Sequence, residues 1–304
     1  MLAVAVCLLA AVAHPSAAHP AADPAPTLEA RITPLVRSHK GRIAVAIKNL
    51  TTGDEFYLNA DDRLPTASLI KLPILVETYW QAAEGKIQLD TKLTLTDKDK
   101  VPGSGILRDH FSEGTTFPLR DAARLMIVFS DNTATNLVLD QIGLPSTNAR
   151  MEKLGLKNTK VTAKVFRGST TSIDPEATKK YGLGSTTARE MVQLLALIEA
   201  GEVVSPQACR EMLKTLKACE DKSLFARFLP AGMELAHKTG AVSDARTSAG
   251  IAYTHSGPVA LCVLTAENED RRWTPDNAAE LLIARIAREV YEHFPPPPPK
   301  TPKK

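Results

Sequence analysis

Thr247-Ser248-Ala249-Gly250-Ile251-Ala252-Tyr253-Thr254, then His255-Ser256-Gly257, then Val259-Ala260-Leu261-Cys262-Val263-Leu264-Thr265: two strand-like runs meet at a tight turn. A connection this short joins antiparallel neighbours, so the stretch predicts a hairpin. Leu235 to Thr239 is a third short run just upstream. Near the other end of the chain, Arg42 to Leu50 alternates Ile43, Val45 and Ile47 on one side. After the turn Thr51-Thr52-Gly53-Asp54, Glu55 to Asn59 returns as a second strand.

Between these two groups lies a block of helical pattern. Leu69, Leu72, Val76, Tyr79 and Trp80 share one helix face. Leu119 to Phe129 and Asn132 to Ile142 read as two more helices. Thr187 and Glu190 form a capping-box pattern opening a helix to Ala200, and Ser205 caps another running to about Leu216. Leu156 to Ser185 is long, polar and without clear period, which marks a functional or disordered loop. Leu28 to Ser38 and Ala278 to Phe294 are helical at the two flanks. The expected fold is α/β (α+β): an antiparallel sheet flanked by helices, built from both chain ends, with an inserted all-helical part. The boundaries expected are 28–64 and 217–294 for the sheet part and 65–216 for the helical part.

The 304 residues are 44% hydrophobic and 23% charged, enough for a substantial core. Lys300, Lys303 and Lys304 alone account for the net charge of +3, and only 5% of residues are aromatic. Neither a basic block nor a stacking platform speaks for nucleic acid. Leu2 to Val12 is apolar and is followed by Ala13 and Ser16-Ala17-Ala18, the pattern of an export signal over residues 1–18. No Lys or Arg precedes the run. Periplasmic or secreted location, without stable membrane association, is the expectation. Residues 19–27 read as a linker and 295–304 as a disordered Pro/Lys tail. Cys7 follows Val6, which argues against a lipoprotein site. Cys209 and Cys219 can pair only if their helix breaks, since ten helical residues span about 15 Å. Cys262 reads as core. The seven histidines form no ligand-spaced pair, so neither metal nor cofactor is expected.

Chemistry concentrates in three places. Ser68 and Lys71 are three apart and share a helix face. Lys71 is the only charge between Thr66 and Glu77. A buried ammonium loses basicity, and a neutral amine beside a hydroxyl can take its proton. The bland alternative is a snorkelling lysine. Pro73 sits awkwardly in this helix, where it costs a backbone hydrogen bond. Ser130-Asp131-Asn132 lies between two helices; one of these residues serves as an N-cap, while the hydroxyl and amide are suited to proton transfer and carbonyl binding. Lys238-Thr239-Gly240 ends a strand, with a cation and a hydroxyl for a substrate carboxylate and a glycine that lets a ligand approach the backbone.

Ser130 follows Ser68 by 62 residues and Lys238 follows Ser130 by 108. The trio in this order resembles the penicillin-recognising serine enzymes, most of all the class A β-lactamases. The likeness runs from Leu28 to Phe294 and includes Thr66-Ala67-Ser68-Leu69-Ile70-Lys71, Phe129-Ser130-Asp131-Asn132-Thr133-Ala134 and Ala236-His237-Lys238-Thr239-Gly240. It implies that Ser68 attacks a β-lactam carbonyl, that Lys71 assists, and that Ser130 passes a proton to the lactam nitrogen. Asn132 would hold the substrate side-chain amide, and Lys238 and Thr239 the substrate carboxylate. The N–H groups of Ser68 and Ala241 would form the oxyanion hole, and Arg246 is a further candidate for the carboxylate.

The family's Glu-x-x-Leu-Asn segment, whose Glu activates the deacylating water, has no counterpart here. Lys164 to Thr187 offers only Asp174 and Glu176, and Glu176 is the candidate base. The implied activity is serine β-lactam hydrolysis by a monomer acting on a small molecule. An acyl-D-alanine peptidase or esterase is the alternative enzyme, and a penicillin binder that stays acylated is the alternative outside catalysis.

Overall fold

The computed structural model describes residues 26–294. The expected signal segment, the linker before residue 26 and the Pro/Lys tail lie outside them. The main sheet has five strands: β1 (Arg42–Asn49), β2 (Glu55–Leu58), β3 (Leu235–Val242), β4 (Ala245–Thr254) and β5 (Gly257–Ala266). Their order is β2-β1-β5-β4-β3, and the pairs are antiparallel. Both chain ends thus build one sheet, as the strand pattern implies.

Strand alternation assigns the two faces. Ile43, Val45 and Ile47 of β1 stand opposite Thr265, Val263 and Leu261 of β5. Apart from Thr265, these residues join the core beneath α1 (Leu28–Arg37) and the C-terminal helix Ala278–His293. Ala44, Ala46, Cys262 and Leu264 point the other way, into the core shared with the helical part. Burying each large side chain of these layers is worth roughly 1.5–3 kcal/mol, and the alanines let helices approach the sheet closely.

The remaining long helices are α2 (Lys71–Ala83), α3 (Leu119–Val128), α4 (Asn132–Ile142), α5 (Leu144–Lys153), α6 (Ala188–Ala200) and α7 (Pro206–Lys217); the C-terminal helix is α8. Two expectations are revised. First, α6 packs on β1 and β5 and α7 on β3, so residues 188–216 cover the sheet although they precede its last three strands. Second, Leu156 to Ser185 contains short regular pieces: Lys160–Val161 and Gly184–Thr186 pair with each other, Gly184–Thr186 also pairs with Leu64–Pro65, and Pro175–Tyr181 is a short helix. Helix α5 has no apolar period to betray it. Its buried face is Leu144, Thr147, Arg150 and Met151, two of them polar.

Arg150 explains that face. Its Nε donates to Glu77 Oε2 at 2.9 Å and its Nη2 to Glu84 Oε1 at 2.9 Å, clamping α5 to α2. Its guanidinium lies over the Trp80 ring, and Gln81 Nε2 donates to the other Glu77 oxygen. At Glu190 the capping box is half used. Thr187 Oγ1 accepts from Glu190 N, but the Glu190 carboxylate accepts from Asn158 N, Asn158 Nδ2 and Thr159 Oγ1, pinning the chain before Lys160. Cys209, Cys219 and Cys262 are all free and buried.

Removing one member of the Glu77–Arg150 pair strands a buried charge. Arg150→Met is expected to lower unfolding free energy by about 3–5 kcal/mol in urea titrations, and Glu77→Leu added to it to recover most of the loss. Equal destabilisation by single and double variants would refute the pairing energetics.

Candidate active site

Ser68 lies in a single 3₁₀ turn, Ala67–Ile70, that leads directly into α2. With three residues per turn, Ser68 and Lys71 eclipse on one side. Because the α-helix begins at Lys71, Pro73 falls within its first turn, where its missing N–H has no intrahelical carbonyl to lose. The expected cost at Pro73 therefore does not arise. The turn packs on β3 and β4. A Cβ at Gly240 would lie 2.6 Å from Thr66 O, 2.8 Å from Leu69 N and 2.5 Å from Thr247 Oγ1, so only glycine admits this approach. Thr247 Oγ1 fastens the same joint by donating to Thr66 O at 2.8 Å.

Asp131 is the N-cap of α4, accepting from Ala134 N, and its second oxygen accepts from Ile106 N and Leu107 N. That anchor leaves its neighbours free to face the cleft. Ser130 is held at φ +53°, a left-handed conformation that a non-glycine residue adopts at an energetic cost. Lys71 Nζ contacts Ser130 O at 2.6 Å, Asn132 Oδ1 at 2.8 Å and Ser130 Oγ at 3.2 Å. Lys238 Nζ reaches the same Ser130 Oγ at 3.1 Å and Thr239 O at 2.7 Å. Both lysines are fully buried. Burial pushes the Lys71 pKa well below the usual lysine value, and the Lys238 charge adds to the effect against a smaller opposing pull from Asp131. Burial lowers Lys238 as well, with Cys219 and Asp221 opposing.

Ser68, Ser130, Asn132, Lys238, Thr239, Gly240 and Ala241 line one cavity of about 630 Å³. The structure therefore brings together every residue of the three motifs named as catalytic or binding, with Lys71 directly behind Ser130 and Asn132. Residues not named as catalytic or binding complete the walls. Phe129, Phe166, Val242 and Trp273 are exposed large hydrophobics that line this same cavity. Asn136 holds the loop beside it, donating to Val165 O and accepting from Val165 N. Asp221, from the segment after α7, accepts from Thr239 Oγ1 at 2.6 Å and from Ser223 N and Oγ. Burial works to raise its pKa, but these hydrogen bonds and Lys238 outweigh it and hold the carboxyl below its usual range.

Two expected site residues lie elsewhere. Arg246 sits on β4 opposite Ala241, one residue before the cleft-side Thr247, so strand alternation turns it to the other face. There it is 1% exposed, pairs with Glu280 of α8 at 2.8 Å, and donates to the carbonyls of Val242, Ala245 and Arg272. Its guanidinium stacks on Trp273. It ties the sheet to the helix, engaged by these partners and not among the residues that line the cavity. Glu176 is an exposed residue in the first turn of the short helix Pro175–Tyr181, which Asp174 caps, and it is not among the residues lining the cavity. No base role follows from that position.

A sheet built from both chain ends, a helical part above it, and a Ser-x-x-Lys turn facing Ser-Asp-Asn and Lys-Thr-Gly define a penicillin-recognising serine enzyme. A sequence model of the Beta-lactamase enzyme family matches residues 27–294, and the chain belongs to that family. Beta-lactamase L2 of Stenotrophomonas maltophilia is 30% identical over 149 residues, 49% of this chain and 48% of that protein, so the match spans about half of each. Among solved structures, the β-lactamase from Sphaerobacter thermophilus DSM 20745 is 26% identical with a TM-score of 0.77, covering 88% of this chain and 99% of that one. PBP-A is 27% identical with a TM-score of 0.76, covering 88% and 95%. A point mutant of PBP-A is described as an acyl-enzyme complex with penicillin G.

Arg246→Met leaves Glu280 without its partner. It is expected to cost about 3 kcal/mol in denaturant unfolding, and Arg246→Lys to recover only part of that, because lysine cannot reach three carbonyls and a carboxylate at once. An unchanged midpoint in both variants would make Arg246 a ligand-binding candidate again.

Proposed function

We propose that this protein is a serine hydrolase that opens the β-lactam ring through an acyl-enzyme on Ser68, with release of the acyl group as its slow step. The observation that carries the first half is the convergence of two buried lysines on Ser130 Oγ beside Ser68. A neutral Lys71 gives its two hydrogens to Ser130 O and Asn132 Oδ1. Its lone pair is then free to accept a hydroxyl proton. The proton from Ser68 passes to Lys71 as Ser68 Oγ bonds to the lactam carbonyl carbon. As the ring C–N bond breaks, the Ser130 proton goes to the nitrogen and Lys71 restores it. Lys238, at 3.1 Å from Ser130 Oγ, stabilises the hydroxyl as its proton leaves and offers a cation to the ligand. The N–H groups of Ser68 and Ala241 bind the developing oxyanion.

The slow release rests on where the carboxylates are. Glu176 is outside the cavity wall. Of the two carboxylates that line it, Asp221 is occupied by Thr239 and Ser223, and Glu220 is exposed. Activation of water then falls to Lys71, which also serves acylation. A second substrate class for the same serine is acyl-D-alanine peptides, whose carbonyl is attacked in the same way. We take Leu2 to Val12 as an export signal, which brings Ser68 to such substrates outside the cytoplasm; among the described residues no helix is long and apolar enough to cross a membrane.

An intact-mass time course with penicillin G is expected to show a Ser68 adduct that forms quickly and persists, and none in Ser68→Ala. Glu176→Gln should leave the release rate within about twofold. Rapid turnover with no adduct would sink the slow-release reading, and no adduct with no turnover the lactam reading itself. The acylation rate should rise with pH and level off well below the ordinary lysine pKa, because burial and Lys238 favour the neutral amine of Lys71. Lys71→Arg, which stays protonated, should slow acylation roughly 10²–10⁴-fold.

A further inference from the structure

The end of the cleft at Lys238 and Thr239 holds an anion. Asp221 lines the cavity and accepts the Thr239 hydroxyl hydrogen at 2.6 Å. Since Asp221 is ionised and can only accept, Thr239 is the donor in that contact, and toward the cavity its oxygen presents a lone pair. Among the described residues no Lys or Arg lies within ion-pair distance of Asp221. Lys222, its chain neighbour, donates to Cys219 O. Lys238 is bonded to Ser130 Oγ and Thr239 O. His237, one residue before Lys238, has its pKa pushed down to about 4 by burial and Lys238, so it brings no positive charge at neutral pH. Arg246, the remaining cation of this region, is not among the lining residues: it pairs with Glu280 and donates to the carbonyls of Val242, Ala245 and Arg272, stacked on Trp273 of the cavity wall. Lys238 is thus the one cation among the residues lining the cavity, with the carboxylates of Asp221 and its chain neighbour Glu220 beside it, and the Thr239 hydroxyl accepts from a ligand rather than donates.

We infer that Asp221 is a specificity-determining residue: it makes the Thr239 end of the cleft favour a ligand group that is neutral and donates a hydrogen bond, a primary carboxamide, over a carboxylate. This rests on the acylation of Ser68 proposed above. A carboxylate there meets the Thr239 lone pair and the Asp221 charge, and neither offers it a hydrogen. A carboxamide presents a carbonyl to Lys238 and an N–H to Thr239 Oγ1 or Asp221. Replacing Asp221 by asparagine removes the charge and lets the Thr239 hydroxyl turn its hydrogen toward the ligand.

The test uses penicillin G and its C3 carboxamide as a matched pair, with second-order acylation rates of Ser68 read by intact mass. The wild-type protein is expected to react with the carboxamide at least as fast as with the carboxylate. In Asp221→Asn the carboxylate-to-carboxamide rate ratio should rise about tenfold or more. A wild-type preference for the carboxylate above about tenfold overturns the inference, and that measurement needs no variant. A ratio changed less than twofold by Asp221→Asn overturns it as well. Absence of a Ser68 adduct from both compounds overturns the acylation reading, a distinct result.

Discussion

Two lysine side chains buried to the same hydroxyl constrain the rest of this molecule. Lys71 and Lys238 are both removed from water, and each lies within about 3.2 Å of Ser130 Oγ. Two ammonium groups so placed repel one another in a medium that screens poorly. The arrangement is relieved when one of them gives up its proton, and burial together with the neighbouring charge assigns that role to Lys71. Asp131, the closest carboxylate influence on Lys71, is already engaged as a cap, so it tempers the effect without neutralising the lysine. A weakly basic amine and a polarised hydroxyl are direct consequences of the packing.

Keeping that geometry requires two separately built halves to meet at fixed distance. Lys238 arrives on the edge strand β3, and Lys71 on the turn that opens α2. The joint between them is the contact of Gly240 with Thr66 and Leu69, fastened by Thr247. Ser130 comes from a third place, an inter-helix turn held in a costly left-handed conformation by the Asp131 cap and its bonds to Ile106 and Leu107. The strain sits at the residue that both lysines touch, and the helices around it are tied by buried polar clamps such as Glu77–Arg150.

The misplacements have definite physical causes. Arg246 lies only eight residues beyond Lys238, yet strand alternation sets its side chain on the opposite face; its phase relative to the cleft depends on where the β3–β4 turn falls. Glu176 follows a proline at a helix start, a position that exposes side chains, and sequence proximity to the long loop carries no information about reach. Helix α5 has no legible period because its buried face is half polar. Asp221 has no motif around it, and its place is defined only by its partner Thr239.

The sequence by itself determined the strands, through period-two alternation, the α4 cap, through Asp131, and the identity of the three motifs, through residue types whose spacing is local. It also determined that Lys71 would sit within one turn of Ser68, since that distance is set by helical geometry alone. Only the tertiary structure decided that Lys238 shares Ser130 with Lys71, that Arg246 belongs to α8, and that an anion stands at the Thr239 end of the cleft. These facts depend on segments from 18 to 108 residues apart meeting across packed faces, and local propensity carries no term for which side chains meet there.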